Sequence, residues 1–190
     1  MVKAVEVLDE TVLSSGRFPL TRSRVEIVES DETKRRIVHE IYRHGPAAAV
    51  MMYDPTRRVV LLVKQFRLGV YYAYGGLDSL EAVAGMLDDD AAEVCVRREA
   101  MEEAGVRLAE VGHVFTTITN PACMTETIAC FLAPYGKNDI VAPGGGVDAD
   151  EWIERVEMDF DEALRRVETG EIRDSKTVAL IYCMRAKGIL

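Results

Sequence analysis

The sequence predicts an α/β fold, more strictly α+β, with a mixed β-sheet sandwiched between helices and an antiparallel β-sheet subdomain at the N-terminus. Three observations support this fold class. Segments with strand character fill the first third of the chain, a helical segment with clustered glutamates lies in the middle, and two amphipathic helical segments close the chain. The 190 residues, 48% of them hydrophobic, suffice for a sizeable core. We therefore expect residues 1–44 to form the N-terminal subdomain and residues 45–190 the main domain.

The first five strands are predicted from β-branched residues in alternating patterns. They are expected at residues 5–13, 18–28 and 35–42, and then at 47–53 and 59–66. The sequence Asp54-Pro55-Thr56 favours a turn between the fourth and fifth strands. The next segment, 69–79, is rich in tyrosine and glycine and is predicted to be a mobile loop, and residues 80–84 are predicted to form a short buried strand.

A second group of strands and helices follows the acidic segment. Strands are expected at residues 110–119, 125–133 and 152–158, and helices at residues 160–169 and 176–187. Residues 134–150 form a predicted loop with three consecutive glycines at 144–146. Their conformational freedom favours a loop that swings Asp148, Asp150 or Glu151 over a site, with a backbone anion nest as the alternative.

The acidic segment, residues 85–106, reads GMLDDDAAEVCVRREAMEEAGV and is predicted to be a helix that ends at Gly105. Glu99 and Glu103 lie roughly 40° apart on one face of this helix, and Glu102 lies roughly 60° to the side. Like charges at this spacing destabilise an isolated helix by about 0.2–0.5 kcal/mol. A bound divalent cation would reverse that cost, and clustered carboxylate oxygens suit Mg²⁺ or Mn²⁺.

A solvated acidic face is the alternative interpretation of this cluster. Two features count against it. The small apolar residues Ala92, Val96 and Ala100 flank the carboxylates on their own face, so that face is not simply wet. The apolar run 82–84, which ends at Gly85, predicts a strand end that aims backbone groups at the same point. Arg98 is expected to pair with a neighbouring carboxylate and to orient it.

The acidic segment resembles the Nudix box, Gly-x5-Glu-x7-Arg-Glu-apolar-x-Glu-Glu-x-Gly-apolar, which marks hydrolases of nucleoside diphosphates linked to another moiety. The second half of the pattern matches at Arg98, Glu99, Glu102, Glu103, Gly105 and Val106. In the first half, Gly85 lies one residue closer to Arg98 than the pattern requires, and Asp90 can take the place of the first box glutamate.

The resemblance extends beyond the box to the branch of the family that hydrolyses ADP-ribose and nucleoside-diphosphate sugars. The Lys-Gln-Phe-Arg sequence at 64–67, the Glu-x-x-Ala-Gly sequence at 81–85 and Pro121 are similar to that branch. Segments 144–147 and 169–177 are similar to its members that act on GDP-mannose. The resemblance implies a Nudix α/β/α sandwich for residues 45–190 and a homodimer in which residues 1–44 pair with a second copy.

The resemblance also implies the roles of individual residues. Metal ligands for Mg²⁺, with Mn²⁺ as a possible substitute, would be the Ala84 carbonyl, Glu99, Glu103 and Glu151. Catalytic roles fall on Glu103, Glu102 and Glu151, the last as a candidate general base. Substrate-binding positions are Arg17, His39, Glu40, Arg67, Glu126 and Lys176.

The net charge restricts the binding partners of the protein, and the cysteine spacing indicates the state of its thiols. The net charge of −9 and the pI near 4.9 argue against binding to nucleic acid or to an anionic membrane. The four cysteines form no Cys-x-x-Cys pair and no zinc-like spacing with the three histidines, which favours reduced thiols. Since the N-terminus lacks the apolar core of a signal peptide, we expect a cytoplasmic protein whose partner is a small-molecule nucleotide sugar.

These observations predict a Mg²⁺-dependent hydrolase that cleaves the pyrophosphate bond of a nucleoside-diphosphate sugar to a nucleoside monophosphate and a sugar phosphate. GDP-mannose is the first candidate substrate, and ADP-ribose is the alternative. A non-catalytic nucleotide-sugar sensor built on a degenerate box is a hypothesis from another class, supported only by the shortened spacing after Gly85. Hydrolysis of nucleoside triphosphates is disfavoured by Pro121 and the extra N-terminal sheet.

Overall fold

The computed structural model of the protein describes residues 1–147 and 152–190. The chain divides into two compact units. The first contains Met1–Pro46 together with Ile118–Thr127, and the second contains Ala47–Thr117 together with Ile128–Leu190. Among the described residues, no helix is both long enough and apolar enough to cross a membrane.

The first unit is built on a three-stranded antiparallel sheet. Its strands, in the order β1-β2-β3, are β1 (Val2–Ser15), β2 (Pro19–Glu29) and β3 (Lys34–Tyr42). The three predicted strands are therefore confirmed; β1 and β3 are longer than the sequence pattern suggested, and β2 is shifted by one residue. The segment 118–127 attaches where β3 ends, since the Tyr42 N–H donates to the Cys123 carbonyl at 2.8 Å and the Thr125 hydroxyl donates to the His44 carbonyl at 2.7 Å.

The second unit holds a seven-stranded mixed sheet. Its strands are β4 (Ala47–Asp54), β5 (Val59–Gln65), β6 (Ser79–Glu81), β7 (Val83–Met86), β8 (Gly112–Ile118), β9 (Thr127–Pro134) and β10 (Ile153–Asp159). The main order is β10-β5-β4-β9-β8, while β6 pairs with β5 and β7 pairs with β4. The β4–β9 pair is parallel, and β4 pairs antiparallel with β5 and β7. The predicted mixed sheet is thus confirmed.

Four helices accompany this sheet: α1 (Leu68–Tyr74), α2 (Ala92–Ala104), α3 (Phe160–Glu168) and α4 (Ser175–Lys187). The carboxylates of Asp159 and Asp174 cap the N-termini of α3 and α4 by accepting backbone N–H groups. Helix α2 ends at Gly105, whose φ of 68° lies in the left-handed region, as the sequence predicted.

The core of the second unit lies on both faces of the sheet. One face packs against α3 and α4 through Phe160, Leu180, Ile181 and Met184. The other packs against α2 through Cys95, Val96, Ala100 and Ala104. Because successive strand residues point to opposite faces, the neighbours Met51 and Met52 of β4 enter different cores. These two helical layers confirm the predicted α/β/α sandwich.

Two elements differ from the sequence predictions. Residues 68–74, placed mainly in a predicted mobile loop, form α1, which ends at Gly75 in the left-handed region. The predicted strand 80–84 is divided into β6 and β7 at Ala82. The reason is a side-chain contact that the sequence pattern does not reveal, because the Ala82 N–H donates to the Thr177 hydroxyl at 2.7 Å.

Candidate active site

Helix α2 buries two of its three clustered glutamates. Glu99 is 9% exposed and Glu103 is 5% exposed, whereas Glu102 is half-buried. They share their side of the helix with the fully buried Val96 and Ala100, which pack under the sheet. A buried carboxylate requires strong partners, because removing it from water without them is costly. The predicted dry acidic face is therefore present, and the interpretation as a solvated face does not apply to Glu99 and Glu103.

Strand β7 approaches α2 through a glycine. The Glu99 carboxylate lies directly against Gly85, so closely that a Cβ built on Gly85 would stand 1.9 Å from Glu99 Oε1. The backbone of β7 and the carboxylate of Glu99 therefore meet without an intervening side chain. This contact also places Glu99 beside the residue that follows Ala84, whose carbonyl is a candidate metal ligand.

Arg98 forms ion pairs with the carboxylates near Gly85. Its Nη1 lies 2.7 Å from Glu99 Oε1 and 3.2 Å from Glu102 Oε2, and its Nη2 donates to the Met86 carbonyl at 3.3 Å. Burial lowers the pKa of Arg98, but Glu99 and Glu102 outweigh that effect and raise it above its ordinary value. Asp90 stands 3.6 Å from the Arg98 Nε. The guanidinium thus links β7, the helix start and the acidic cluster in one charged network.

The three-glycine segment closes over the C-terminal end of α2. The N–H groups of Gly145 and Gly146 donate to the carbonyls of Glu103 and Glu102 at 2.9 and 3.0 Å. A Cβ on Gly144 would stand 2.5 Å from the Glu103 carbonyl oxygen. These glycines, all at positive φ, therefore allow close backbone packing against the end of α2. The expected movement of residues 148–151, and the expected site residue Glu151, lie outside the described residues.

The candidate donors around α2 fit a hard divalent cation in chemical type. Among residues 1–147 and 152–190, no three His, Cys, Asp or Glu side chains converge as a metal-binding group. The donor set expected here consists instead of two buried carboxylates, Glu99 and Glu103, and one backbone carbonyl, Ala84. All are oxygen donors of the kind that Mg²⁺ and Mn²⁺ prefer, and the Gly85 contact leaves room for no competing side chain.

A second charged cluster lies at the N-terminus of α4. The Glu81 carboxylate receives Arg67 Nε at 3.1 Å and Nη2 at 3.0 Å, and Lys176 Nζ lies 2.9 Å from its Oε2. Lys176 Nζ also lies 3.0 Å from Asp174 Oδ2. Arg67 and Lys176, both predicted to bind substrate, thus share the Glu81 carboxylate.

Glu81 is the residue that the sequence analysis did not single out. Burial raises the pKa of Glu81, but the charges of Lys176 and Arg67 outweigh burial and hold it at about 2. The buried Lys176 keeps a raised pKa for the same reason, since Glu81 and Asp174 outweigh its desolvation. A carboxylate inside the predicted buried strand 80–84 was the available signal for this residue, although its cationic partners are distant in sequence.

The remaining predicted substrate positions lie in the first unit. Arg17 is exposed in the β1–β2 turn, with its guanidinium 5.7 Å from the Phe18 ring centre. His39 is exposed on β3, and Glu40 accepts hydrogen bonds from Arg22 at 2.8 and 3.2 Å. Glu126 Oε1 lies 3.0 Å from His44 Nδ1, and the ring centres of His44 and Phe18 are 3.9 Å apart with the rings tilted by 40°. Arg17 and Glu126 are therefore joined through Phe18 and His44.

The fold and the acidic helix define a hydrolase of the family that the box sequence indicated. The family model for the NUDIX domain matches residues 43–181, and the chain belongs to this family. It is therefore a Nudix hydrolase. It is 40% identical over 98% of its length to GDP-mannose pyrophosphatase of Cronobacter sakazakii, covering 97% of that protein. It is also 35% identical to GDP-mannose pyrophosphatase of Escherichia coli K12, with both chains fully covered.

A solved structure described as an ADP compounds hydrolase shares the fold. Its chain is 16% identical to this protein and superposes with a TM-score of 0.74, covering 100% of this chain and 99% of its own. At that level of identity the match supports the fold alone. It agrees with the α/β/α sandwich of the second unit.

Proposed function

We propose that the protein hydrolyses the pyrophosphate bond of a nucleoside-diphosphate sugar, with GDP-mannose as the first candidate substrate. The products are a nucleoside monophosphate and a sugar phosphate. The observation that carries this proposal is the burial of Glu99 and Glu103 on one face of α2, against Gly85. The two relatives that match almost from end to end are both named GDP-mannose pyrophosphatase, which supports the choice of substrate.

The residues that would hold a divalent cation are Glu99, Glu103 and the Ala84 carbonyl, with Glu102 and Glu151 as further candidates. Bound there, Mg²⁺ or Mn²⁺ would offset the negative charge of the pyrophosphate and lower the pKa of a bound water. Arg98 holds Glu99 and Glu102 in place through its guanidinium. Glu151 is our candidate for the general base that accepts the proton of the attacking water, with Glu103 and Glu102 as the other catalytic carboxylates.

The charged side chains outside α2 supply the substrate contacts in this proposal. Arg67 offers a planar guanidinium suited to a phosphate, because its fork of N–H donors matches two oxygens at once. Lys176 adds positive charge beside it. Arg17, His39, Glu40 and Glu126 are the candidate contacts to the base and the sugar, since they combine donors, acceptors and the adjacent Phe18 ring.

We further propose that the protein is a cytoplasmic homodimer whose first units pair. The supporting feature is the exposed apolar side of β1, where Val5, Val7 and Val12 are each about 60% exposed. Valines exposed in such a row are costly in water and are typical of an interface between copies. Two-fold symmetry then places the same strand on both sides of the contact.

A substrate panel tests the proposed function. GDP-mannose, ADP-ribose, ADP-glucose and UDP-glucose are incubated with the protein and either Mg²⁺ or Mn²⁺, and phosphate released by a coupled phosphatase is measured. We expect the highest kcat/KM for GDP-mannose and no turnover after chelation of the metal. A preference for ADP-ribose would support the alternative substrate. Binding without turnover on all four compounds would overturn the proposal in favour of a nucleotide-sugar sensor.

A further inference from the structure

One buried carboxylate, that of Glu81, holds two cations at the end of β6. Glu81 is 3% exposed and accepts a two-pronged hydrogen bond from Arg67, through Nε at 3.1 Å and Nη2 at 3.0 Å. Lys176 Nζ, also buried, lies 2.9 Å from the same Oε2 that receives Arg67 Nη2. Two hydrogen bonds along one edge of a planar guanidinium fix both its position and its plane.

The cluster is balanced in charge. Two cations, Arg67 and Lys176, face two carboxylates, Glu81 and Asp174, and Lys176 lies 3.0 Å or less from a carboxylate oxygen of each. Removing one member of a buried charged group leaves its partner uncompensated, which is strongly unfavourable. Lys176 therefore fixes the Glu81 carboxylate through an ion pair with Oε2, and the remaining lone pairs of the carboxylate accept hydrogen bonds from Arg67.

Arg67 itself is only partly enclosed. Its side chain is 46% exposed, and the pairing with Glu81 uses Nε and Nη2 but not Nη1. Burial lowers the pKa of Arg67, while Glu81, Glu103 and Asp174 together raise it above its ordinary value. The charge of Glu103, on the acidic helix α2, thus acts on this guanidinium together with the Glu81 cluster.

We propose that Glu81 is a positioning residue for hydrolysis: held by Lys176, it fixes the Arg67 guanidinium so that its outer N–H edge meets a substrate phosphate. This inference rests on the proposed function. In it, Glu81 does not touch substrate but acts through Arg67. The residue pattern Arg67, Glu81, Lys176 therefore functions as one unit, assembled from the end of β5, the end of β6 and the start of α4.

Steady-state kinetics on GDP-mannose with Mg²⁺ test this role. Glu81→Gln keeps the side-chain shape but removes the charge, and Glu81→Asp keeps the charge but withdraws the carboxylate by one methylene. We expect KM to rise about tenfold in both, with kcat within threefold of wild type, because a misdirected arginine loses binding that ground and transition states share.

Glu157→Gln is the matched control. Glu157 also holds an arginine, Arg57, with two hydrogen bonds of 2.8 and 2.6 Å, but at the opposite end of β5. Its KM should not change.

A double-mutant cycle with Arg67→Ala separates positioning from a general structural effect. If Glu81 acts through Arg67, adding Glu81→Gln to Arg67→Ala raises KM by less than twofold beyond Arg67→Ala alone. The inference would be overturned if the KM increases of the two single substitutions multiplied in the double variant. It would also be overturned if folded Glu81→Asp had an unchanged KM. Glu81→Asp retains the charge that the buried cations need, so it decides the question even if Glu81→Gln does not fold. Absence of turnover by the wild type would instead refute the proposed function.

Discussion

The carboxylate of Glu99 and the α-carbon of Gly85 are in direct contact, and a Cβ on Gly85 would overlap Glu99 Oε1 at 1.9 Å and Cδ at 2.1 Å. Gly85 is not among the residues with positive φ, so its backbone conformation is open to other amino acids. The glycine is therefore required by the space that Glu99 occupies rather than by its own torsion angles. This explains why a glycine stands at the beginning of the box, next to the candidate ligand Ala84.

Gly85→Ala should reduce kcat by about a hundredfold, since a displacement of a catalytic group by about 1 Å can cost that much. The clash falls on the far end of a flexible side chain, so we expect the fold to survive with a small change in thermal midpoint. Gly112→Ala on β8 is the matched control, because a Cβ there meets nothing closer than 3.8 Å. Equal kcat values for the two variants would contradict the prediction.

Glu103→Gln should lower kcat by several orders of magnitude while circular dichroism remains that of the wild type. Glu103 is buried on α2 and is a candidate for both metal binding and catalysis. Its amide analogue keeps the volume and loses the charge. Glu93→Gln, on the exposed first turn of the same helix, should retain full activity. Near-normal turnover of Glu103→Gln would exclude the assignment.

Glu81 should make the protein sensitive to acid. Its pKa in the folded chain is about 2, below the ordinary value of 4.5, so its ion pairs contribute fully above pH 4.5. As the pH falls below 4.5 the unfolded chain takes up the proton first, and the contribution disappears progressively towards pH 2. Its size is on the order of 3 kcal/mol. Urea unfolding should show a larger destabilisation by Glu81→Gln at pH 6 than at pH 3, and an equal difference at both pH values would disprove it.

Light scattering should give about twice the 21.1 kDa mass of one chain. Val7→Glu should shift the protein towards monomer, because it places a charge in the apolar row of β1. Val141→Glu, at a comparably exposed valine in the second unit, serves as control and should leave the mass unchanged. A wild-type mass of 21.1 kDa across a range of concentrations would rule out the dimer.

Local patterns in the sequence were sufficient to predict most of the fold. Alternating β-branched residues predicted the strands, and Gly105 predicted the end of α2, because both signals depend on neighbouring residues. The short helix α1 was missed, since its tyrosines and flanking glycines have the composition of a loop and none of its residues is buried. Its interaction with the rest of the unit, in which Arg173 stacks 4.6 Å from the Tyr74 ring centre, joins residues distant in the chain.

Residue spacing alone groups the candidate site residues only where they are close in sequence, whereas Arg67 and Lys176 were proposed from the family resemblance. Glu99, Glu102 and Glu103 follow from helical spacing. Glu81 does not, because its partner Lys176 lies 95 positions away, and no periodicity connects them. For the same reason the sequence analysis assigned Lys176 only a role in substrate binding. In the structure its ammonium group is also paired with the carboxylates of Glu81 and Asp174.

The thiol of Cys95 lies beneath the strand that carries Gly85, 3.3 Å from the Met86 carbonyl, and burial raises its pKa to about 11. The thiol is therefore protonated and inaccessible to solvent, so an alkylating reagent reaches it only when α2 separates from β7. The exposed Cys123 reacts without any such opening. Alkylation of Cys95, compared with that of Cys123 as the reference for reagent strength, should therefore report how often the acidic helix separates from β7, and bound ligand should slow it.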